Sequence, residues 1–163
     1  MPKEMILTKG RVTVVDDGDF DWLSEWKWSY TYNVRNIDFG YAVRRNSPNI
    51  KPRQLYMHRV IVGARPGEVV DHINGNRLDN RRSNLRICTQ SENLANKQVH
   101  LAGESGFKWV YPNKKSGGWV VRMKIAGKMT HIGSFKDKVA AALAADDVAL
   151  KLYGPHAKLN FPK

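Results

Sequence analysis

The run Asp71-His72-Ile73-Asn74-Gly75-Asn76, answered by Asn84-Leu85-Arg86 and then Asn93, constrains this chain more than any other stretch. Val69-Val70 reads as a short strand that delivers Asp71 and His72 at its end. Asn74-Gly75-Asn76 reads as a turn, and Leu78-Asp79-Asn80-Arg81-Arg82 as a polar loop. Asn84-Leu85-Arg86-Ile87-Cys88 is the returning strand of a hairpin. Thr89 is a good helix N-cap, with Glu92 three residues on as its capping-box partner. A helix from about Gln90 then carries Asn93 in its first turn, facing back over the hairpin. The pattern predicts a strand, loop, strand, helix unit whose polar groups converge at one end.

A carboxylate, an imidazole and a carboxamide in that setting suit phosphodiester hydrolysis. The reaction needs a nucleophile made from water and neutralisation of charge on the phosphoryl oxygens and the leaving 3′ oxygen. A histidine near neutral pH takes the water proton, typically a 10²–10⁴-fold effect. A hard cation such as Mg²⁺ takes oxygen ligands and keeps most of its waters. Asp71 and Asn93 therefore suffice once the substrate supplies a phosphate oxygen. One conflict is visible: adjacent residues on a strand point to opposite sides, so an irregular backbone must re-aim Asp71 or His72.

Charge points to a polyanionic partner. The chain has 163 residues, 27 Lys and Arg against 15 Asp and Glu, and a net charge of +12. The excess is uneven: residues 1–50 are net 0, residues 51–100 net +5 and residues 101–163 net +7. A merely soluble basic protein is the bland alternative, but the asymmetry argues that the second and third segments face phosphates. The length holds one ordinary domain or two small ones. No apolar run is long enough to span a bilayer, and Met1-Pro2-Lys3-Glu4 lacks a signal-peptide core, so an intracellular, reducing location is expected. Cys88, the single cysteine, excludes an internal disulfide and a zinc ribbon, and reads as a small buried hydrophobe.

The flanking segments read as follows. Arg11–Val15 is β-rich and ends in the turn cluster Asp16-Asp17-Gly18-Asp19. A short helix follows, with Asp19 or Asp21 near its start and Trp22 and Leu23 inward. Trp26–Tyr30 and Gly40–Arg45 are two strands of a small sheet. Trp22, Trp26 and Trp28 could stack on bases, though at this spacing they more often fill a small core. Gln54–Val62 is apolar and either helix or strand. Ala95 to Ser105 looks like a linker. After it, Phe107–Tyr111, Trp119–Ile125 and Thr130–Phe135 alternate like strands, the last two joined by a tight Ala126-Gly127 turn. Asp137–Tyr153 is a helix whose inner face carries Val139, Ala142, Leu143, Ala149, Leu150 and Tyr153, interrupted by Asp146, and Gly154-Pro155 ends it. Its alanines allow close packing on one side of the sheet. Val121, Met123 and Ile125 point one way, and Val120, Arg122 and Lys124 the other. A sheet with an outward basic face can enter the major groove.

In its central motif the chain resembles the HNH nucleases, particularly the small homing endonucleases of phage and bacterial introns, over about residues 40–97. By position, the resemblance implies that Asp71 and Asn93 hold one divalent metal, expected to be Mg²⁺ with Mn²⁺ as the alternative. It implies His72 as general base, Asn84 as a brace for the loop and Arg86 as a phosphate contact. Asn93 stands where other branches of the family carry His. Met57-His58-Arg59 resembles a segment preceding the motif, and His58 is expected to be structural or to contact phosphate rather than to catalyse.

The last segment is similar to the plant Apetala/ethylene-response-factor DNA-binding domain, through Ser105-Gly106-Phe107-Lys108, Gly118-Trp119, Ile132-Gly133-Ser134-Phe135, the alanine-rich helix and Gly154 to Phe161. That likeness implies DNA contacts from Lys108, Tyr111, Asn113, Arg122, Lys124 and His131, with Lys114 and Lys115 beside them. Trp109 stands where that family usually has glycine; a bulky side chain there blocks close backbone approach or itself stacks on sugar.

The expected fold class is therefore α+β: a ββα-metal nuclease core followed by a three-stranded antiparallel sheet packed on one helix. Residues 1–97 would form the β-rich region and nuclease core, with the motif at about 55–97. Residues 98–104 would be the linker and 105–163 the DNA-binding domain. The expected activity is site-targeted cutting of double-stranded DNA by a monomer, leaving 5′-phosphate and 3′-hydroxyl ends, in the cytoplasm of a bacterial or phage-infected cell. The alternative is a DNA-binding protein or transcriptional regulator with a decayed nuclease unit.

Overall fold

The computed structural model describes residues 1–33, 36–96 and 104–162. The chain divides into two units, Met1–Asn93 and Leu94–Lys163. Of the expected linker, 98–104, all but Glu104 lies outside the described residues. The architecture is mixed, with several small antiparallel sheets and four α-helices among the described residues. No helix among them is long and apolar enough to cross a membrane.

In the first unit, β1 (Pro2–Ile6) pairs antiparallel with β2 (Val12–Asp16). Along β2 the buried positions are Thr13 and Val15, the two-residue period of a strand with one face inward. The expected turn at Asp16–Asp19 is instead the start of α1 (Asp17–Ser24). Asp17 and Asp19 sit in its first turn, where carboxylates complement the helix dipole. A sheet follows in the order β3 (Ser29–Asn33), β4 (Asn36–Arg45), β5 (Gln54–Tyr56). The apolar stretch 54–62 contains one element of each kind: β5, then α2 (Met57–Ile61). Gly40 on β4 cannot carry a side chain, because a Cβ there would lie 2.3 Å from the Thr31 carbonyl and from the Tyr30 ring.

The tryptophans split. Trp28 is buried, its Nε1 donating to the Leu23 carbonyl at 2.8 Å, and joins Val15, Leu23 and Met57 in the core. Trp26 is 47% exposed beneath the Arg44 guanidinium, 3.9 Å from its ring centre. Trp22 is half-buried and donates to Asp19 Oδ1. A second hairpin, β6 (Val69–His72) with β7 (Leu85–Cys88), then leads into α3 (Gln90–Asn96).

The second unit orders β8 (Val110–Pro112), β9 (Trp119–Ile125) and β10 (Lys128–Phe135) with β9 in the middle. Strand pairing begins at Val110 rather than Phe107, because Trp109 holds a left-handed φ of 64°. A left-handed residue that carries a Cβ bears a steric cost of roughly 1–2 kcal/mol, which Trp109 holds here. Trp109 stacks on Tyr153, ring centres 6.5 Å apart.

Helix α4 (Lys138–Tyr153) is capped by Asp137, which accepts from the Val139 and Ala140 amides. Its inner face differs from the expected one. Ala141, Ala142, Ala145 and Ala149 are completely buried against Val121 and Met123, whereas Val139, Leu143 and Leu150 are exposed. The centre of the helix–sheet contact is built from these methyl side chains. Asp146 does not interrupt the inner face but is a buried anchor within it. It accepts from the Asn160 amide, Asn160 Nδ2 and the Phe161 amide, each at 2.9 Å, and so fastens the end of the chain to α4.

Replacing Asp146 with Ala leaves three donors without their acceptor and should cost about 2–4 kcal/mol. Leu143→Ala, on the exposed side, should cost within about 0.5 kcal/mol. Urea midpoints of the two variants check this assignment, and it fails if Leu143→Ala proves the more damaging.

Candidate active site and nucleic-acid interface

Strand register decides where the motif residues point. Asp71 faces Arg86 across the β6–β7 hairpin and His72 faces Leu85. The strand is regular through both positions, so the two side chains leave on opposite faces and no bulge re-aims them. On one face, Arg86 Nε and Nη2 both donate to Asp71 Oδ2, at 3.0 and 2.9 Å. Both partners are largely removed from solvent. Cys88 shares this face and is half-buried rather than fully buried, its thiol pushed up first by burial and then by the Asp71 carboxylate.

His72 is buried on the other face. Its ring meets His58 edge-on at 5.0 Å between centres, and Tyr41 lies at 6.3 Å with the Arg77 guanidinium over its outer side at 4.7 Å. Its Nε2 lies 3.3 Å from Asn80 Oδ1. Burial pushes the imidazole below its ordinary value of 6.5, and Arg77 adds to this; the Asn80 contact and the carboxylates of Asp71 and Asp79 oppose it. His58, 7% exposed, is driven down to about 3 by burial, then by His72, Arg59 and Arg77. Both rings are neutral at neutral pH.

The loop between the strands is built from its own amides. Asn74 Oδ1 accepts from the Asn76 amide, and Asn76 Oδ1 from the Leu78 amide. Asn84, buried, spans the loop: its Oδ1 accepts from the Asn74 amide at 2.9 Å and its Nδ2 donates to the Asp79 carbonyl at 2.8 Å. Asp79 accepts from Arg81 Nε and Nη2 and from Asn74 Nδ2, and these donors hold its carboxyl low. The remote strand β2 docks on the same loop, with the Val14 amide on the Leu78 carbonyl and the Asn80 amide on the Val14 carbonyl. Arg82 fastens the far end through Asp19, which is buried, and through Asp16.

Helix α3 starts with a complete capping box: the Thr89 amide donates to Glu92 Oε2 at 2.7 Å and the Glu92 amide to Thr89 Oγ1 at 3.2 Å. Asn93 follows, half-buried, its amide on the Thr89 carbonyl. The oxygen donors Asp71 and Asn93 suit a hard divalent cation, and a cation at Asp71 would share that carboxylate with Arg86. Among the described residues no three His, Cys, Asp or Glu side chains gather into a metal site, so the donor chemistry does not suit a closed zinc centre.

The sequence pattern alone does not mark Thr13, Tyr41, Asp79 and Asn80 as parts of this site, and it gives His58 only a structural or phosphate-contacting place. Asp79 and Asn80 read simply as loop residues. Nothing local to Thr13 signals a link to residues 65 or more positions away.

In the second unit, Arg122 and Lys124 are exposed on β9, beside exposed Tyr111 on β8 and His131 on β10. His131 pairs directly with Arg122, and its ring Nε2 lies 3.1 Å from Ser134 Oγ. Lys114 and Lys115 are exposed on the turn before β9, and Asn113 Oδ1 accepts from the Lys115 and Ser116 amides to shape that turn. Lys108 departs from the expected outward position. It is buried at 9% exposure, its Nζ donates to the Ala95 carbonyl, and burial pushes it down to about 8. Its backbone is clamped by Asn160, which accepts from the Lys108 amide, so the residue organises the module instead of facing out.

Residues 55–95 match the family model described as HNH endonuclease. The matched span includes most of β5, α2, β6, the loop, β7 and most of α3, and suggests a DNA endonuclease in general terms. No curated protein and no solved structure matches the chain.

Buried neutral His58 gives the first unit a pH-dependent stability. The unfolded chain, with an imidazole near 6.5, takes up the proton first, while the folded chain refuses it down to about 3. Stability is therefore full above pH 6.5 and falls as pH drops, by up to about 1.4 kcal/mol per pH unit, with His72 acting in the same direction. Thermal midpoints between pH 7 and 5 should fall steeply for the wild type and less steeply for His58→Gln. Equal slopes would contradict the burial of a neutral ring. The groups facing His58 are His72, Tyr41, Tyr56, Arg59 and Arg77.

Proposed function

We propose that this protein is a site-targeted, homing-type DNA endonuclease that hydrolyses phosphodiesters with one divalent metal, His72 as general base and 5′-phosphate and 3′-hydroxyl products. The observation that carries the reading is the coincidence of the family match with the residues the chemistry requires: Asp71, His72, Asn84, Arg86 and Asn93 all fall inside residues 55–95.

His72, held neutral by burial, accepts the proton of the attacking water. Asp71 and Asn93 would hold the cation, Mg²⁺ or Mn²⁺, which would supply positive charge to the phosphoryl and leaving oxygens. Arg86 fixes the carboxylate through two donors that meet at Asp71 Oδ2 and brings a guanidinium toward the phosphate. Asn84 keeps the loop between the strands closed. The second unit, an Apetala/ethylene-response-factor-type module, supplies affinity and part of the specificity through Tyr111, Arg122, Lys124, His131, Lys114 and Lys115, with Asn113 setting the turn. Lys108 supports that surface from below.

Two measurements test this reading. His72→Ala should leave affinity for double-stranded DNA within a few-fold and lower single-turnover cleavage by about 10²–10⁴. Asp71→Ala should abolish metal-dependent cutting, and Asn93→Ala should do so less completely because water replaces a neutral ligand. Normal cutting by His72→Ala refutes its role. Separately, a chain ending at Ala102 should bind DNA more weakly, its log–log salt slope falling by about 0.9 for each phosphate that the second unit neutralises. An unchanged affinity and slope would remove the module from DNA binding.

A further inference from the structure

Residues 1–50 are net 0 in charge, but the fold segregates the two signs. Several of the carboxylates are engaged: Asp17 with Lys3, Asp38 with Arg11, and Asp16 and Asp19 with Arg82. Among the described residues Lys27, Arg44 and Arg45 form no ion pair. All three line one groove of about 580 Å³ in the first unit, with Trp26, Thr31 and Gln54 among its walls. Among the described residues no carboxylate lines it; Glu25, next to Trp26 in the chain, does not reach it.

Arg44 is the unusual member of this set. Strand alternation places it on the same side of β4 as Ala42, which belongs to the core. Its Cζ lies 3.9 Å from the ring centre of exposed Trp26 and 5.8 Å from that of buried Trp28. An aromatic face attracts the cation and fixes its plane, but offers no lone pair in that plane. Arg44 Nε is sealed from solvent and meets no acceptor, and no described carbonyl or carboxylate accepts from the rest of the guanidinium. A guanidinium only donates, so the chain holds a positioned set of donors that it does not itself satisfy. With Nε sealed, the terminal nitrogens are the donors left to a ligand.

Unpaired cations beside an exposed indole, with no carboxylate among them, suit an extended polyanion. Guanidinium donors match phosphate oxygens, neighbouring cations neutralise the next phosphates, and an indole packs on sugar. We infer that Trp26, Lys27, Arg44 and Arg45 form a DNA-backbone contact surface within the first unit, in which Arg44, held on Trp26, grips a phosphate. The inference rests on the reading of the chain as a DNA-acting protein, and on no residue of the hairpin motif.

The test uses the full chain in chelator, so that binding is read without cutting, and a short random-sequence duplex as the probe. Arg44→Met keeps a flexible side chain on Trp26 but removes the donors and the charge. It should weaken binding by about five- to tenfold at 0.1 M salt and lower the log–log salt slope by about 0.9. Lys3→Met, the same charge change at a cation already paired with Asp17, should leave both unchanged. The thermal midpoint of Arg44→Met should hold, because no protein acceptor loses its donor. A midpoint that falls while affinity and slope stay at the wild-type values would make Arg44 structural and overturn the inference. Hydroxyl-radical labelling of the wild-type chain, read by mass spectrometry, reports on Trp26 without any variant. Bound duplex should protect Trp26. Equal labelling of Trp26 with and without bound duplex overturns the inference while leaving DNA binding intact. A chain that binds no duplex at all would reject the DNA reading and this surface with it.

Discussion

Everything at the candidate site depends on a polar loop being held rigid inside a small unit. Between Ile73 and Asn84 the chain makes no long element of its own, and such a segment would ordinarily be mobile. Here it closes on buried amides. Asn84 bonds across it, Asp79 collects arginine and asparagine donors, and β2 lies alongside it with the Val14 amide and carbonyl. Each unmet bond in that interior would cost roughly 1–3 kcal/mol, so the loop has one conformation that satisfies all of them. That conformation also fixes the face on which His72 lies.

The hairpin uses its two faces for different chemistry. One carries a charge pair, Asp71 with Arg86, and the other an aromatic and imidazole cluster of Tyr41, His58 and His72. Separation across the strand lets burial keep the imidazole neutral while the carboxylate stays paired with a cation. Two candidate residues adjacent on one strand look like a conflict in the sequence; in the folded chain they lie on different faces of the hairpin.

How much of this is legible in the sequence follows from the range of the interactions. The capping box at Thr89 and Glu92, the Ala126-Gly127 turn with φ of 48° and 82°, and the alternation along β9 are local and legible. The phase of α4 is not, because hydrophobicity ranks Leu143 above Ala141, while the fold buries the alanines and leaves Leu143 exposed. Asp146 and Lys108 look like surface charges in sequence; their partners, Asn160 and Ala95, are supplied by tertiary packing. The link from Thr13 to Asn80 spans 67 residues and leaves no periodic or spacing signature. It emerges only when the strand and the loop meet.

The central claim is that DNA is cut here with the help of a divalent cation. A pool of random-sequence duplexes, incubated with the full chain and Mg²⁺ and then sequenced at its ends, tests this whatever the target sequence is. New ends bearing 5′-phosphates should accumulate at preferred sequences in Mg²⁺, vanish with chelator and return when Mg²⁺ is restored in excess. A pool that the protein binds but leaves intact in Mg²⁺ and Mn²⁺, or cutting that persists in chelator, would contradict the account.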